Sequence, residues 1–253
     1  MLKIPTIAKP RNVAGNFRQT TMRTLIATCI LTSLFSCTNR QTKNSIEQIN
    51  EVSKNEETFL ISAIDAKLPL RLDEINLEDK NNTIQLNDGI VSKIEKVIKD
   101  YAKDFEFYDR SQTYRDTYIN TIRLHDRLQT IFVVLLKYYP TGELNSRVLF
   151  YDNQKKEFLN KVFDFNLWAL YDFDNGKLKP SDLKTQFKIN SPEIEVVDLN
   201  KDEINDYKFV RLWHNGTFNT INTTILNVKN GKIDTLHFEE KPIGNEELFH
   251  GRK

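Results

Sequence analysis

The feature that most constrains this chain is a succession of short β-rich runs that begins at Tyr118. TYINTIRL, LQTIFVVLLKYY, SRVLFYD and EFLNKVFDF come first, and EIEVV, YKFVRLWH, NTTILNV and KIDTLHF follow. All are rich in β-branched and aromatic residues, the side chains that fit a pleated, half-buried surface. The segments DNQKK at 152–156 and KNG at 229–231 lie between paired runs, where Gly231 is free to take a positive φ, which is the signal of a hairpin. IFVVLLKYY alternates poorly because nearly all of it is apolar, so it predicts a central strand covered on both faces.

Ahead of these runs the period changes. In GIVSKIEKVIKDYAKDF, residues 89–105, Ile90, Ile94, Val97, Ile98 and Tyr101 recur at the spacing of one helix face, with Asn87 and Asp88 placed as caps. The apolar stripe is no wider than packing on a sheet requires. No helical crossover of adequate length separates the later strands. The pattern therefore predicts an α+β fold: a predominantly antiparallel β domain of about eight or more strands, residues 58–253, with an N-terminal helix packed on it. No internal repeat is present, which argues against a propeller.

The first part of the chain carries an address. A 13-residue apolar run, Thr24 to Ser36, follows Lys3, Lys9, Arg11, Arg18 and Arg23. It is too short to span a bilayer, which takes about 20 apolar residues, and it has the layout of a signal peptide over residues 1–36. Met22 stands directly before the run and offers an alternative start. Leu34, Ser36 and Cys37 resemble the bacterial lipobox; Phe35 is bulkier than usual between them. The resemblance covers about the first 37 residues. It implies cleavage at Ser36–Cys37, diacylglycerol on Cys37 and acylation of the new amino terminus. Several acyl chains on one residue anchor stably, at about 0.8 kcal/mol per buried CH₂. Localisation to the cell envelope follows, periplasm-facing or at the surface, with the outer membrane favoured.

Residues 37–57 are polar after the cysteine and nearly free of large apolar side chains, so they read as a tether with the lipid at its end. The only other cysteine, Cys29, lies within the signal peptide. The part from Cys37 onward thus has no disulfide and is long enough to manage with a hydrophobic core. It carries 31 basic against 35 acidic residues, a formal charge of −4. Nucleic-acid binders show a basic footprint, so that partner class is excluded.

One constellation carries chemical meaning. In VVDLNKDEINDYKFV, residues 196–210, Asp198, Asn200, Asp202 and Asp206 occupy positions one, three, five and nine of a loop, and Ile204 offers a backbone carbonyl at seven. Calcium takes six to eight hard oxygens, and alternate side chains of a tight turn converge to supply them. Position twelve is Phe209 and the flanks are strand-like, which excludes an EF-hand. The segment resembles the D-x-N-x-D-G-x-x-D loops of FG-GAP-type integrin repeats and of some secreted lysozyme-inhibitor-like domains, Leu199 included. The resemblance covers nine residues in one copy and implies a calcium loop, not a whole fold. It departs at Glu203, where the pattern has glycine; a left-handed backbone there costs a non-glycine residue roughly 1–2 kcal/mol. A second acidic cluster, Asp172 to Gly176, lacks the later ligands and reads as a turn at Asn175-Gly176.

No catalytic residues emerge. His125, His214, His237 and His250 are scattered, and the chain has no HExxH, no nucleophile elbow, no phosphate loop and no dinucleotide fingerprint. His125-Asp126, adjacent in a strand, point to opposite sides. Trp213 and His214 admit two readings, a ligand-facing patch or one core and one exposed side chain. Three functional classes remain. The first is a non-catalytic binding lipoprotein of inhibitor or immunity type that meets an envelope protein partner. The second is an accessory subunit of an envelope complex. The third is a hydrolase with carboxylates drawn from separate strands.

Overall fold

In a computed structural model of the protein the described residues are 60–104, 114–138, 141–167, 169–174, 177–214 and 218–244, all within the unit Thr58–Lys253. Cys37, the tether and the signal segment lie outside the described residues. No helix among the described residues is long and apolar enough to cross a membrane.

The domain is β-rich. Its larger sheet is built from β1 (Ser62–Ala66), β2 (Thr83–Gln85), β3 (Tyr118–His125), β4 (Gln129–Tyr138), β5 (Glu143–Asp152), β6 (Glu157–Phe158) and β7 (Phe163–Asp164). Their order is β2-β1-β3-β4-β5-β6, and β7 also pairs with β5. A short hairpin, β8 (Tyr171–Asp174) with β9 (Lys177–Pro180), follows. The second sheet runs in sequence order through β10 (Ile194–Val197), β11 (Asp206–His214), β12 (Asn219–Lys229) and β13 (Lys232–Pro242). All pairings are antiparallel except β1 with β3. That parallel pair is reinforced by Arg123, whose guanidinium grips Asp65 with two bonds of 2.6 Å from the directly opposite position.

Helix α1, Asp88–Lys103, begins where Asn87 accepts the Ile90 N–H on its side chain. It lies inside the domain, because β1 and β2 come before it; the expected N-terminal position is corrected accordingly. Two shorter helices, α2 (Tyr114–Thr117) and α3 (Asp182–Gln186), follow.

Strand β4 organises the interior, because its alternate side chains enter two different cores. Ile131, Val133 and Leu135 join the cluster that meets the second sheet through Tyr207, Phe209, Leu226 and Val228. Phe132, Val134 and Leu136 join Ile94, Val97, Ile98 and Tyr101 of α1. All six β4 residues are buried. At roughly 1.5–3 kcal/mol for each large apolar side chain removed from water, this strand is a principal source of the fold's stability.

EFLNKVFDF does not form one strand. It yields two strand fragments, β6 and β7, which pair with β5 at separate places, and Phe163 and Phe165 pack on Phe209 at ring distances of 4.8 and 5.2 Å. Strands β12 and β13 are joined by Asn230 and Gly231, both at positive φ, 55° and 78°. The turn thus matches the hairpin chemistry of the sequence.

Candidate functional site

The acidic loop joins β10 to β11, and Val197 pairs with Asp206 at its base. Asp198 gathers the turn: its two carboxylate oxygens accept the Asp202 N–H at 3.1 Å and the Glu203 N–H at 3.2 Å. Asn200 Oδ1 shares the Asp202 N–H at 3.2 Å, which draws positions one and three to one point. The Ile204 N–H donates to Asp202 Oδ1 at 3.0 Å. Two residues adopt left-handed backbone to make this possible, Lys201 at φ 58° and Glu203 at φ 62°. Glu203 thus takes the conformation for which the pattern reserves glycine.

Asp206 serves a different neighbourhood. It is fully buried, with Oδ2 accepting the Leu199 N–H at 3.0 Å and Oδ1 accepting the Asn227 amide at 2.7 Å. From the end of β12, Lys229 reaches over the loop and donates to Asp202 Oδ2 at 2.9 Å. That hydrogen bond holds the Asp202 carboxyl below the usual carboxylate range. Among the described residues no three His, Cys, Asp or Glu side chains form a group able to hold a metal ion. The donor types nevertheless suit calcium: Asp198 and Asn200 meet around the Asp202 N–H, and each carboxylate oxygen retains a lone pair beyond the bond it accepts.

The loop is also tied to the larger sheet. Asp126, in the turn between β3 and β4, accepts the Asn205 amide at 2.7 Å and the Tyr207 hydroxyl at 2.9 Å. Burial, aided by the Asp126 charge, pushes the Tyr207 hydroxyl well above the ordinary tyrosine range. His125 faces elsewhere, toward Thr130 at 3.3 Å and Asp65 at 3.8 Å, so the adjacent pair forms no acid–base couple.

A buried ionic cluster lies under α3, and nothing in the sequence signalled it. Lys184 Nζ donates to Glu193 Oε1 at 3.0 Å and to the Tyr171 hydroxyl. Tyr171 donates to the same Glu193 oxygen at 2.8 Å, and Glu193 Oε2 accepts the Leu72 N–H at 3.0 Å. Glu193 is 1% exposed and Tyr171 is 0% exposed. With its carboxylate fully partnered, the cluster reads as a pin that joins four distant segments rather than as a poised acid. Burial and the Glu193 charge push the Tyr171 hydroxyl far upward.

The end of the second sheet is different again. Trp213 and Phe218 there remain 37% and 39% exposed, their rings meeting edge to face at 6.3 Å, while the exposed Leu236 and Phe238 lie further along β13, opposite the middle of β12. Trp213 is the exposed member of the pair singled out in the sequence; His214 is half-buried, its Nδ1 lying 2.5 Å from Asn219 Oδ1. Two residues before Trp213, Arg211 lines an open cleft of about 390 Å³ that also takes in Tyr101, Asn145, Arg147 and Asn166. The residues around Asp172 belong to the β8–β9 hairpin, while Asn175 and Gly176 lie outside the described residues, as do His250 and Trp168. Comparison with protein-family models, with curated proteins and with solved structures found no match.

Proposed function

We propose that this chain is a lipid-anchored binding protein of the cell envelope, held by Cys37 in a membrane, with the outer membrane favoured, and that it acts without catalysis as an inhibitor or immunity-type protein. The observation that carries this reading is the exposed aromatic pair, Trp213 and Phe218, at the end of the second sheet. Their rings meet edge to face in a domain whose other large apolar side chains are mostly packed in two cores. Exposed apolar groups gathered at one place mark partner surfaces, and buried aromatics dominate binding energy once a partner covers them. The partner is an envelope protein that offers an apolar pocket.

The loop 198–206 lies at the opposite end of β11 from Trp213, where a bound ion stiffens the β10–β11 connection. Calcium is its proposed cofactor, held by Asp198, Asn200, Asp202 and the Ile204 carbonyl, with Asp206 fixing the loop base. The ion supplies charge neutralisation in the place the Lys229 ammonium now serves. What supports this is the left-handed turn at Glu203 and the convergence of Asp198 and Asn200 on one N–H.

The accessory-subunit reading draws no comparable support. Among the described residues the outer strand β13 pairs only with β12, yet its free side is guarded by Lys232, Asp234, Glu239, Glu240, Lys241 and Pro242, a charge pattern that discourages strand addition. Cross-linking in envelope membranes tests the proposal. The unaltered chain should capture a partner that Trp213→Ser/Phe218→Ser releases at unchanged melting temperature. Equal capture by both proteins would refute the surface assigned here.

A further inference from the structure

The cleft lined by Arg211 holds a positive charge that nothing among the described residues balances. Nε of Arg211 is buried without a partner; the two terminal nitrogens reach solvent in the cleft and make no hydrogen bond or ion pair. Asn166 repeats the pattern. Its Oδ1 is buried, and its amide nitrogen, also without a partner among the described residues, reaches the same cleft. These accessible groups are donors only, so they call for an acceptor, and the permanent charge of arginine calls for an anionic one. A half-buried guanidinium without a counter-charge is the kind of exception that needs a reason.

The rest of the lining limits the charge and size of that anion. Arg147 is neutralised by Asp164 at 2.7 Å, and the Ser146 hydroxyl donates to the Phe165 carbonyl. The exposed Asp104 also lines the cleft. One unbalanced arginine beside one exposed aspartate suits a single carboxylate better than a doubly charged phosphate, which Asp104 repels more strongly. The volume, about 390 Å³, exceeds what a carboxylate fills and has room for the side chain that carries it. Trp213 stands outside this lining, on the same face of β11 as Arg211 and roughly 7 Å along the strand. An acidic side chain and an apolar neighbour on one partner segment span that distance.

We infer that the envelope partner inserts an aspartate or glutamate side chain into this cleft. Its carboxylate accepts from the terminal nitrogens of Arg211 and from the Asn166 amide, while an adjacent apolar side chain covers Trp213 and Phe218. This rests on the binding reading above and names the chemistry of the partner's contact segment. The test is an NMR and calorimetric titration of the full chain with acetyl-Leu-Glu-Leu-amide, with its glutamine isostere and with free glutarate. The glutamate peptide should bind about tenfold more tightly than the glutamine peptide, and more tightly than glutarate, which has no apolar side chain. Arg211→Gln should erase the preference at unchanged melting temperature, and Arg211→Lys, which keeps the charge without the planar fork, should retain only part of it. Equal binding of the two peptides, binding of neither, or a preference that survives in Arg211→Gln would overturn the inference. So would glutarate bound as tightly as the glutamate peptide, which would make the cleft a site for a free anion. Protein capture in envelope membranes is read separately: capture lost in Trp213→Ser/Phe218→Ser but undiminished in Arg211→Gln sinks this inference and leaves the binding reading intact.

Discussion

Glu203 shows how a single residue can hold a loop in a conformation its side chain disfavours. Its φ of 62° is stabilised from outside, by the Asp198 carboxylate that accepts its N–H. Glu203→Gly removes the steric cost of that backbone while keeping the bond, so it should raise stability by about 1 kcal/mol in urea unfolding. Calcium adds a second check at the same scale. If the ion binds the folded loop, millimolar calcium raises the melting temperature, and Asp202→Ala abolishes the rise. The residue types of this loop were legible in sequence because a one, three, five, nine spacing is local. The place of Asp206 was not legible: its partner Asn227 lies on another strand, 21 residues away.

At the scale of elements, what sequence revealed was periodicity and what it hid was pairing at a distance. The near-continuous apolar run of β4 announced burial on both faces, and α1 announced its buried stripe, because both patterns repeat within a few residues. EFLNKVFDF was misread as a single strand because its phenylalanines serve a core contact with Phe209 that no local pattern encodes. The Lys184–Glu193–Tyr171 pin is hidden for the same reason. Lys184→Met leaves the Glu193 carboxylate buried beside a neutral neighbour, and should destabilise the domain by about 3–5 kcal/mol. Lys184→Met combined with Glu193→Leu should recover much of that loss, since neither charge then remains unpaired. A double variant as unstable as the single one would show that the pin's hydrogen bonds, rather than its charge balance, hold these segments.

Over the whole molecule, buried tyrosines set an alkaline limit. Burial pushes the Tyr118 hydroxyl up to about 12 against the Thr121 hydrogen bond that lowers it, and the Tyr101, Tyr171 and Tyr207 hydroxyls are raised as well. A raised folded pKa means the native state holds its proton more tightly than the unfolded chain does. The resulting stabilisation is complete below the unfolded tyrosine value of about 10 and is lost as pH climbs beyond it. Melting temperatures should therefore show no tyrosine-linked loss between pH 7 and pH 9, and should fall steadily above about pH 10. A profile unchanged to pH 12 would contradict the burial of these hydroxyls.

The anchored envelope location underlies the functional proposal, and it depends on one atom, the sulfur of Cys37. Mass spectrometry of the N-terminal peptide from the membrane-extracted protein tests it most directly. The expected result is a chain beginning at Cys37 with a diacylglyceryl thioether and an acylated amino group, and loss of that modification in Cys37→Ser. A mature chain that begins elsewhere, or an unmodified Cys37 in a protein recovered from the soluble fraction, would contradict the account.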